Sequence, residues 1–191
     1  CSPRRTPYAS PTPNPLPSAP SPMSADRDIR QRAADAPPPP PGPTARLGIE
    51  IGPVAWGELG AVAQLQRRAF RSSLAYRLPT LAMLRLWPRA RFLVARRGGR
   101  ILGCAIGDQH NGESRIVNLA VDPDARRLGI GSALLAALEA ALPWGDLSLM
   151  VEADNPGAQA LYRAAGFAPT GQSANYYGAG RHGIWMRKRR G

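Results

Sequence analysis

The chain has 191 residues and a formal net charge of +12, with 21 Pro and two Cys. It contains no run of 18 apolar residues and no basic segment followed by an apolar one, which excludes a helical membrane span and a visible secretory signal. Cys1 and Cys104 lie far apart, and His110 and His182 stand alone in polar turns, so a disulfide framework is excluded and no bound metal is expected. These features predict a cytoplasmic protein.

Residues 1–45 differ sharply in composition from the rest of the chain. They hold 14 of the 21 Pro, and their large aliphatic residues are Leu16 and Ile29. So little apolar surface cannot offset the entropy lost when a chain is ordered, which predicts a disordered Pro-rich tail. Because the chain begins with Cys, Met23 is the more economical start site. Residues 46–191 are predicted to form one domain of common size.

The predicted domain is strongly basic. Residues 46–191 carry 20 basic and 10 acidic side chains, and Lys188 is the one Lys among them. A net charge of this size favours anionic partners through long-range attraction. Nucleotide phosphates, ribosomal RNA and acidic peptides all qualify, and so does a solvated Arg-rich surface without a partner.

The apolar pattern predicts eleven elements in the order β, α, α, β, β, β, α, β, α, β, β. Strands are expected at residues 47–51, 92–95, 101–106, 115–121, 147–151, 172–177 and 183–187. Helices are expected at 56–70, between Pro79 and Pro88, at 129–142 and at 156–165. This order predicts an α/β or α+β fold, with a mixed, mostly antiparallel sheet of six to seven strands and about four helices on its faces.

The most informative stretch follows the predicted strand 115–121. After a turn containing Pro123, the residues Arg126-Arg127-Leu128-Gly129-Ile130-Gly131-Ser132 open a long helix. The first N–H groups of a helix have no intrahelical partner and lie at the positive end of its dipole, and glycines let a phosphate approach them. The absence of Gly-Lys-Ser/Thr and of Gly-x-Gly-x-x-Gly excludes a triphosphate P-loop and the dinucleotide fingerprint. An anion-binding loop and a helix start selected for packing both remain open on this pattern alone.

Two motifs together resemble the GNAT superfamily of N-acetyltransferases. Arg-x-x-Gly-x-Gly after a strand ending Ala-Val-Asp-Pro resembles its acetyl-CoA loop. About 24 residues later, the run from Asn155 through Leu161-Tyr162 to Gly166-Phe167 is similar to its second hallmark. The late Asn-Tyr-Tyr at 175–177 and Gly-Ile-Trp-Met at 183–186 resemble the bacterial ribosomal-protein-alanine branch. The resemblance covers residues 46–188 and implies a GNAT-like fold that moves an acetyl group from acetyl-CoA to a primary amine by direct attack in a ternary complex.

The resemblance also implies roles for individual residues. A β-bulge in the strand would part it from its neighbour, and the backbone beside the pantetheine arm would be that of Leu119, Ala120 and Val121. The pyrophosphate would be held by Arg127, Leu128, Gly129, Ile130, Gly131 and Ser132. Asn155 would hydrogen-bond the arm, and Tyr162 would protonate the leaving thiolate as general acid. Phe167 is expected to be a core residue.

The general base is open among three alternatives. The ribosomal-protein branch has a Glu five residues before the Asn of the second hallmark, and this chain has Met150 there. Glu152 lies on the same face as Met150, because strand residues two apart share a face. Glu113, five residues before Asn118, is slightly favoured because it flanks the strand expected to line the thioester. The third alternative is a water chain without a dedicated base.

The leading hypothesis is an acyltransferase that uses acetyl-CoA, without a metal, to acetylate the N-terminal α-amine of a protein or peptide. A ribosomal protein is one candidate acceptor, and neither a membrane nor a direct nucleic-acid role is expected. The alternatives are an acetyltransferase for a small amine, such as a polyamine or amino sugar, and a non-catalytic basic module that keeps the fold and associates with RNA or the ribosome.

Overall fold

The computed structural model describes residues 47–110, 112–142 and 145–190. The Pro-rich tail predicted at 1–45 lies outside the described residues, and so does Pro143, which was expected to end a helix. All elements below therefore belong to the predicted domain.

Seven strands form one sheet in the described part of the chain. They are β1 (Glu50–Pro53), β2 (Ala90–Arg97), β3 (Arg100–His110), β4 (Glu113–Val121), β5 (Leu147–Glu152), β6 (Ala168–Ser173) and β7 (Gly183–Lys188). Their order across the sheet is β1-β2-β3-β4-β5-β7-β6. Every neighbouring pair is antiparallel except β4 and β5, which are parallel. The predicted mixed, mostly antiparallel sheet is confirmed.

Within the described residues, four helices accompany the sheet, as predicted. They are α1 (Leu59–Ala69), α2 (Leu78–Leu86), α3 (Ile130–Ala141) and α4 (Pro156–Ala164), and two single 3₁₀ turns precede α1 and α3. Apolar residues of α1 and α2 pack on one side of β2 and β3, beside Phe92, Val94 and Ile106. The buried apolar side chains of α3 belong to a second cluster, which includes Ala95, Leu102 and residues of β5 and β7. Alternate residues of these strands thus pack into two separate apolar cores. Because residues on both faces of the strands are buried, the strands appear in the sequence as nearly continuous apolar runs.

The largest disagreement with the sequence prediction concerns β6. It spans Ala168–Ser173, whereas the prediction placed it at 172–177. Tyr176 and Tyr177 gave that stretch a strand-like composition, but Asn175 has a left-handed backbone with φ of 56°. The Asn175 side-chain oxygen accepts the Gly180 N–H at 2.8 Å, so these residues form a turn-rich loop between β6 and β7. The remaining boundaries differ by a few residues at most.

Glycine in β3 allows α3 to pack close to the sheet. A Cβ atom added at Gly107 would lie 2.5 Å from Leu142 Cδ1 and 2.7 Å from the Arg115 carbonyl oxygen. Because the backbone oxygen cannot rotate away, we expect Gly107→Ala to lower the free energy of unfolding by about 1–3 kcal/mol in chemical denaturation. Gly171→Ala on β6, where an added Cβ meets nothing within 4 Å, is the matched control. Equal losses in the two variants would contradict this account.

Candidate active site

A cleft opens where β4 and β5 separate. The two strands pair over residues 114–116 and 147–149, and the described residues show no ladder between them beyond that point. The cleft has a volume of about 480 Å³. Its walls come from β4, β5, α4, the loop between α1 and α2, and the loop between β6 and β7. The parting of two parallel strands therefore creates a concave site near the middle of the sheet.

A β-bulge in β4 lies at the start of this separation. Ile106 of β3 pairs with Asn118, but the next residue, Gly107, pairs with Ile116. Val117 is therefore the extra residue, and it lines the cleft together with Asn118. A bulge bends its strand and strengthens the local twist, which turns the following backbone away from β5.

The bulge expected from the resemblance is thus present, two residues before Leu119. Leu119 lines the cleft. Ala120 and Val121 pair with Cys104 and Gly103 of β3, and neither is among the cleft-lining residues. Of these three predicted cofactor-binding residues, Leu119 therefore lines the cleft, and Ala120 and Val121 do not.

The loop before α3 has the backbone geometry that anion binding requires. Arg127 and Gly129 both have left-handed conformations, with φ of 65° and 77°. Within the described residues, no hydrogen-bond acceptor is found for the N–H groups of Ile130, Gly131 and Ser132 at the first turn of α3. Unpaired N–H groups at the positive end of a helix dipole form a site for a phosphate. The Leu128 side chain is exposed and the Ile130 side chain is buried.

Asp122 stabilises the loop before α3 through its buried side chain. Its side chain is almost fully buried and accepts the Asp124 N–H at 3.0 Å. It also forms ion pairs with Arg68 and Arg100, each at 3.1 Å. A buried carboxylate with these partners fixes the turn, and Arg126 and Arg127 remain exposed beside it.

Helix α4 contributes Asn155 and Tyr162 to the cleft wall. Asn155 is the N-cap, and its side-chain oxygen accepts the Ala158 N–H at 3.0 Å. The bond leaves its NH₂ group without a partner among the described residues. Tyr162 is 7% exposed and packs edge-to-face on Phe167, a core residue, with ring centroids 5.9 Å apart. Burial raises the pKa of Tyr162, so its hydroxyl stays protonated at neutral pH.

Glu152 lines the same cleft and is tied to the β6–β7 loop. Its carboxylate accepts hydrogen bonds from Arg181 Nε at 2.6 Å and Arg181 Nη2 at 2.8 Å. These hydrogen bonds lower the pKa of Glu152, and burial opposes them in part. The Tyr177 hydroxyl donates to the Met150 carbonyl oxygen at 2.9 Å, which ties the loop to β5 a second time.

Glu113 begins β4 two residues before Arg115, the first residue of that strand to line the cleft. Glu113 itself pairs with Arg187 of β7 and is not among the cleft-lining residues. Four strand residues lie between it and Asn118, a span of about 16 Å. Of the two predicted base candidates, Glu152 lines the cleft and Glu113 does not.

The structure adds aromatic and charged residues that the sequence analysis did not assign to the site. Tyr76, Tyr176, Tyr177 and Trp185 line the cleft, and Tyr176 contacts both of the last two edge-to-face. Asp108 and Arg115, opposite one another on β3 and β4, form a two-pronged ion pair at its margin, with contacts of 2.6 and 2.9 Å. Asp108 lies beyond the predicted strand 101–106, so the sequence prediction did not pair it with Arg115.

Two further observations bear on ligands. No group of three or more His, Cys, Asp or Glu in the described part of the chain is placed to hold a metal ion. Among the same residues, no helix has the length and apolarity needed to cross a membrane.

Comparison with known proteins places this architecture in a family. Residues 59–167 match the Acetyltransferase (GNAT) family. An uncharacterised N-acetyltransferase of Methanocaldococcus jannaschii is 32% identical over 140 residues, which cover 70% of this chain and 86% of that protein. The N-alpha-acetyltransferase RimI of Mycobacterium tuberculosis is 35% identical over 94 residues, 47% of this chain and 60% of the relative.

A solved structure agrees with these sequence matches. The crystal structure of the ribosomal-protein-S18-alanine N-acetyltransferase from Escherichia coli superposes with a TM-score of 0.66 at 28% identity, covering 74% of this chain and 93% of the other. The predicted fold is therefore confirmed, and these relatives are consistent with the suspected branch. The match of family, fold and relatives shows that this chain belongs to the GNAT acetyltransferase family and is an acyltransferase.

Proposed function

We propose that this enzyme transfers an acetyl group from acetyl-CoA to the N-terminal α-amine of a protein or peptide. The observation that carries the proposal is one continuous cleft that two groups of residues line together. The first group is Asn155, Tyr162 and the bulged strand, and the second is Glu152 and the aromatic residues of the β6–β7 loop. The relatives named as alanine and N-alpha acetyltransferases support the choice of acceptor.

The residues present fit acetyl-CoA. The start of α3 lies outside the residues that line the cleft, and its unpaired N–H groups suit the pyrophosphate, with Arg127 supplying charge and Gly129 and Gly131 allowing close approach. Leu119 and the free amide of Asn155 suit the polar pantetheine arm in the gap between β4 and β5. Holding both substrates aligned supplies a large part of the acceleration expected of such an enzyme.

The proposed reaction needs two proton movements at this chain's own residues. The amine nitrogen attacks the thioester carbonyl, the C–N bond forms, and the C–S bond breaks. The leaving thiolate takes the proton of the Tyr162 hydroxyl. The proton lost by the amine passes through water to the Glu152 carboxylate, which its bonds to Arg181 keep ionised at neutral pH.

The decisive experiment measures acetyl-CoA binding and then CoA release with a panel of acceptors. The panel holds a peptide with a free N-terminal Ala, the same peptide with a blocked N-terminus, a Lys peptide and spermidine. The proposal expects release with the free α-amine and none with the blocked peptide. Turnover of spermidine alone would favour the small-amine alternative, and acetyl-CoA binding with no acceptor in a wider panel would count against the proposal.

Gly131 tests the phosphate loop. An added Cβ there would lie 3.4 Å from Leu161 Cδ2 and 3.7 Å from Val121 Cγ2, so Ala fits but Val crowds the space between α3 and α4. We expect Gly131→Val to weaken acetyl-CoA binding about 10- to 100-fold in calorimetry, because hydrogen bonds to a charged group contribute about 1.5–3 kcal/mol. Gly131→Ala is the graded control. A folded Gly131→Val variant with wild-type affinity would reject the loop assignment.

The pair of Glu152 and Arg181 predicts a direction of change in the pH–rate profile. Arg181 lowers the pKa of Glu152, so the carboxylate persists to lower pH in the wild type. Arg181→Gln should raise that pKa and move the Glu152 step of the acidic limb of kcat/KM to higher pH, whereas Glu152→Gln should remove that step and leave the ionisation of the acceptor amine as the limb that remains. Glu113→Gln is the matched control, since Glu113 lies outside the cleft. An unchanged limb in all three variants would favour a water chain without a dedicated base.

A further inference from the structure

A buried amide pair joins helix α1 to the bulged strand β4. Gln66 has no exposed surface and Asn118 is 9% exposed. Gln66 Nε2 donates to Asn118 Oδ1 at 2.7 Å, and Asn118 Nδ2 donates to Gln66 Oε1 at 3.3 Å. The two amides therefore close a ring of two hydrogen bonds within an otherwise apolar layer. A fully buried Gln is uncommon, because its polar atoms must all find partners there.

The pair connects two of the segments that line the cleft. Asn118 directly follows the bulge residue Val117, and both line the cleft. At the other end of the contact, α1 ends three residues beyond Gln66 and leads into the loop whose residues Phe70 and Tyr76 also line the cleft. One side-chain contact thus connects the strand on which the cleft opens to the loop that bounds it.

Packing alone does not require amides at these two positions. Gln66 is surrounded by an apolar cluster of α1, α2, β2 and β3 residues, and apolar side chains of similar volume would fill the same space. Apolar contacts tolerate small slides and rotations, whereas a two-bond amide ring has a defined direction and length. Cys104 adds a third, weaker partner, with its sulfur 3.3 Å from Gln66 Nε2. The ring therefore fixes the strand at the point where its register changes.

We infer that Gln66 is a positioning residue that acts through Asn118, holding the bulged backbone of β4 in the geometry that admits acetyl-CoA. The inference rests on the proposed function for its ligand, and on the bulge and the amide ring for its geometry. It assigns to α1 a role in binding the acetyl donor, although no residue of that helix lines the described cleft.

The test separates positioning from stability with a single and a double replacement. Gln66→Met removes one half of the ring and leaves Asn118 buried without its partner, so both the melting temperature and acetyl-CoA affinity should fall, the affinity about tenfold or more. Gln66→Met with Asn118→Leu removes both polar groups. Replacing both partners by apolar groups can be nearly neutral for stability, so the melting temperature should recover. The affinity should stay low, because the directional contact is still absent.

Hydrogen exchange of the free protein gives a readout that needs no ligand. The amides of residues 117–119 should exchange faster in both variants than in the wild type. Leu59→Ala, two turns earlier on α1 and equally in the core, is the matched control, and it should lower the melting temperature without changing affinity or exchange at the bulge.

Two outcomes would overturn the inference. If affinity recovers together with melting temperature in the double variant, the ring only stabilises the fold. If exchange at 117–119 is unchanged in both variants, the ring does not hold the bulge. A wild-type chain that binds no acetyl-CoA would instead reject the proposed function, and the exchange measurement would still decide whether Gln66 positions the strand.

Discussion

Replacing Tyr162 by Phe is expected to lower kcat by about 10²–10⁴-fold, the usual contribution of a general acid, while acetyl-CoA affinity is nearly kept. The substitution keeps the ring and its edge-to-face contact with Phe167, and removes one hydroxyl. Tyr162 lines the cleft, and its hydroxyl has no hydrogen-bond partner among the described residues. A tyrosine hydroxyl is protonated throughout the neutral range, and burial, which raises the pKa of Tyr162, keeps it so.

Tyr176→Phe is the matched control for this measurement. Tyr176 also lines the cleft, but it is 53% exposed and belongs to the β6–β7 loop. Its hydroxyl has no proposed part in proton transfer, so kcat should change little. Single-turnover kinetics with saturating acetyl-CoA separates chemistry from product release. Wild-type turnover in Tyr162→Phe would reduce Tyr162 to a packing residue of α4.

Local sequence signals were sufficient to predict the loop at the start of α3. Gly129 occupies a left-handed position immediately before the helix, a conformation that glycine adopts readily. The cap at Asn155 followed by Pro156 likewise marks the start of α4 from sequence alone. Both features depend on backbone conformation over a few consecutive residues, which is the range over which sequence patterns are informative.

The base candidates could not be ordered in the same way. Whether Glu113 or Glu152 reaches the cleft depends on where β4 and β5 part, and their three-residue parallel pairing is a tertiary feature. Parallel strands joined by a helix leave no turn from which to count register. No local pattern placed the separation of the two strands near residue 117 instead of 113, and the resemblance indicated only that a bulge exists.

Contacts between distant segments account for the rest of what was missed. Arg181 reaches Glu152 across 29 positions, and Gln66 reaches Asn118 across 52. Neither Arg181 nor Gln66 is unusual in its local sequence, since Arg181 is a basic residue in a loop and Gln66 is a polar residue on an amphipathic helix. The strand predicted at 172–177 was misplaced for a related reason. Tyr177 is a residue type that is common in strands, and only the left-handed backbone of Asn175 shows that the chain turns there.

The bonds to Arg181 make Glu152 a weak base. When the pKa of a carboxyl group is held below its usual range, it lies far below the pKa of an ammonium group. Proton transfer from the ammonium group to that carboxylate is then strongly unfavourable. Met150, the position where similar enzymes are expected to carry their Glu, supplies no second carboxylate. The proposed mechanism therefore requires an acceptor that is already partly neutral in water.

We therefore expect kcat/KM at pH 7 to be on the order of 10² higher for an α-amine peptide than for a matched Lys peptide with a blocked N-terminus. An α-amine with a pKa near 8 is about 10% neutral at pH 7, whereas a Lys side chain with a pKa near 10.4 is only about 0.04% neutral. The preference should narrow as pH rises toward 9, because the α-amine becomes fully neutral while the Lys neutral fraction keeps growing. Measuring CoA release for both peptides from pH 6 to pH 9 checks this. A Lys peptide that outcompetes the α-amine peptide at pH 7 would show that this site deprotonates a strongly basic amine, and would contradict both the acceptor and the weak-base argument.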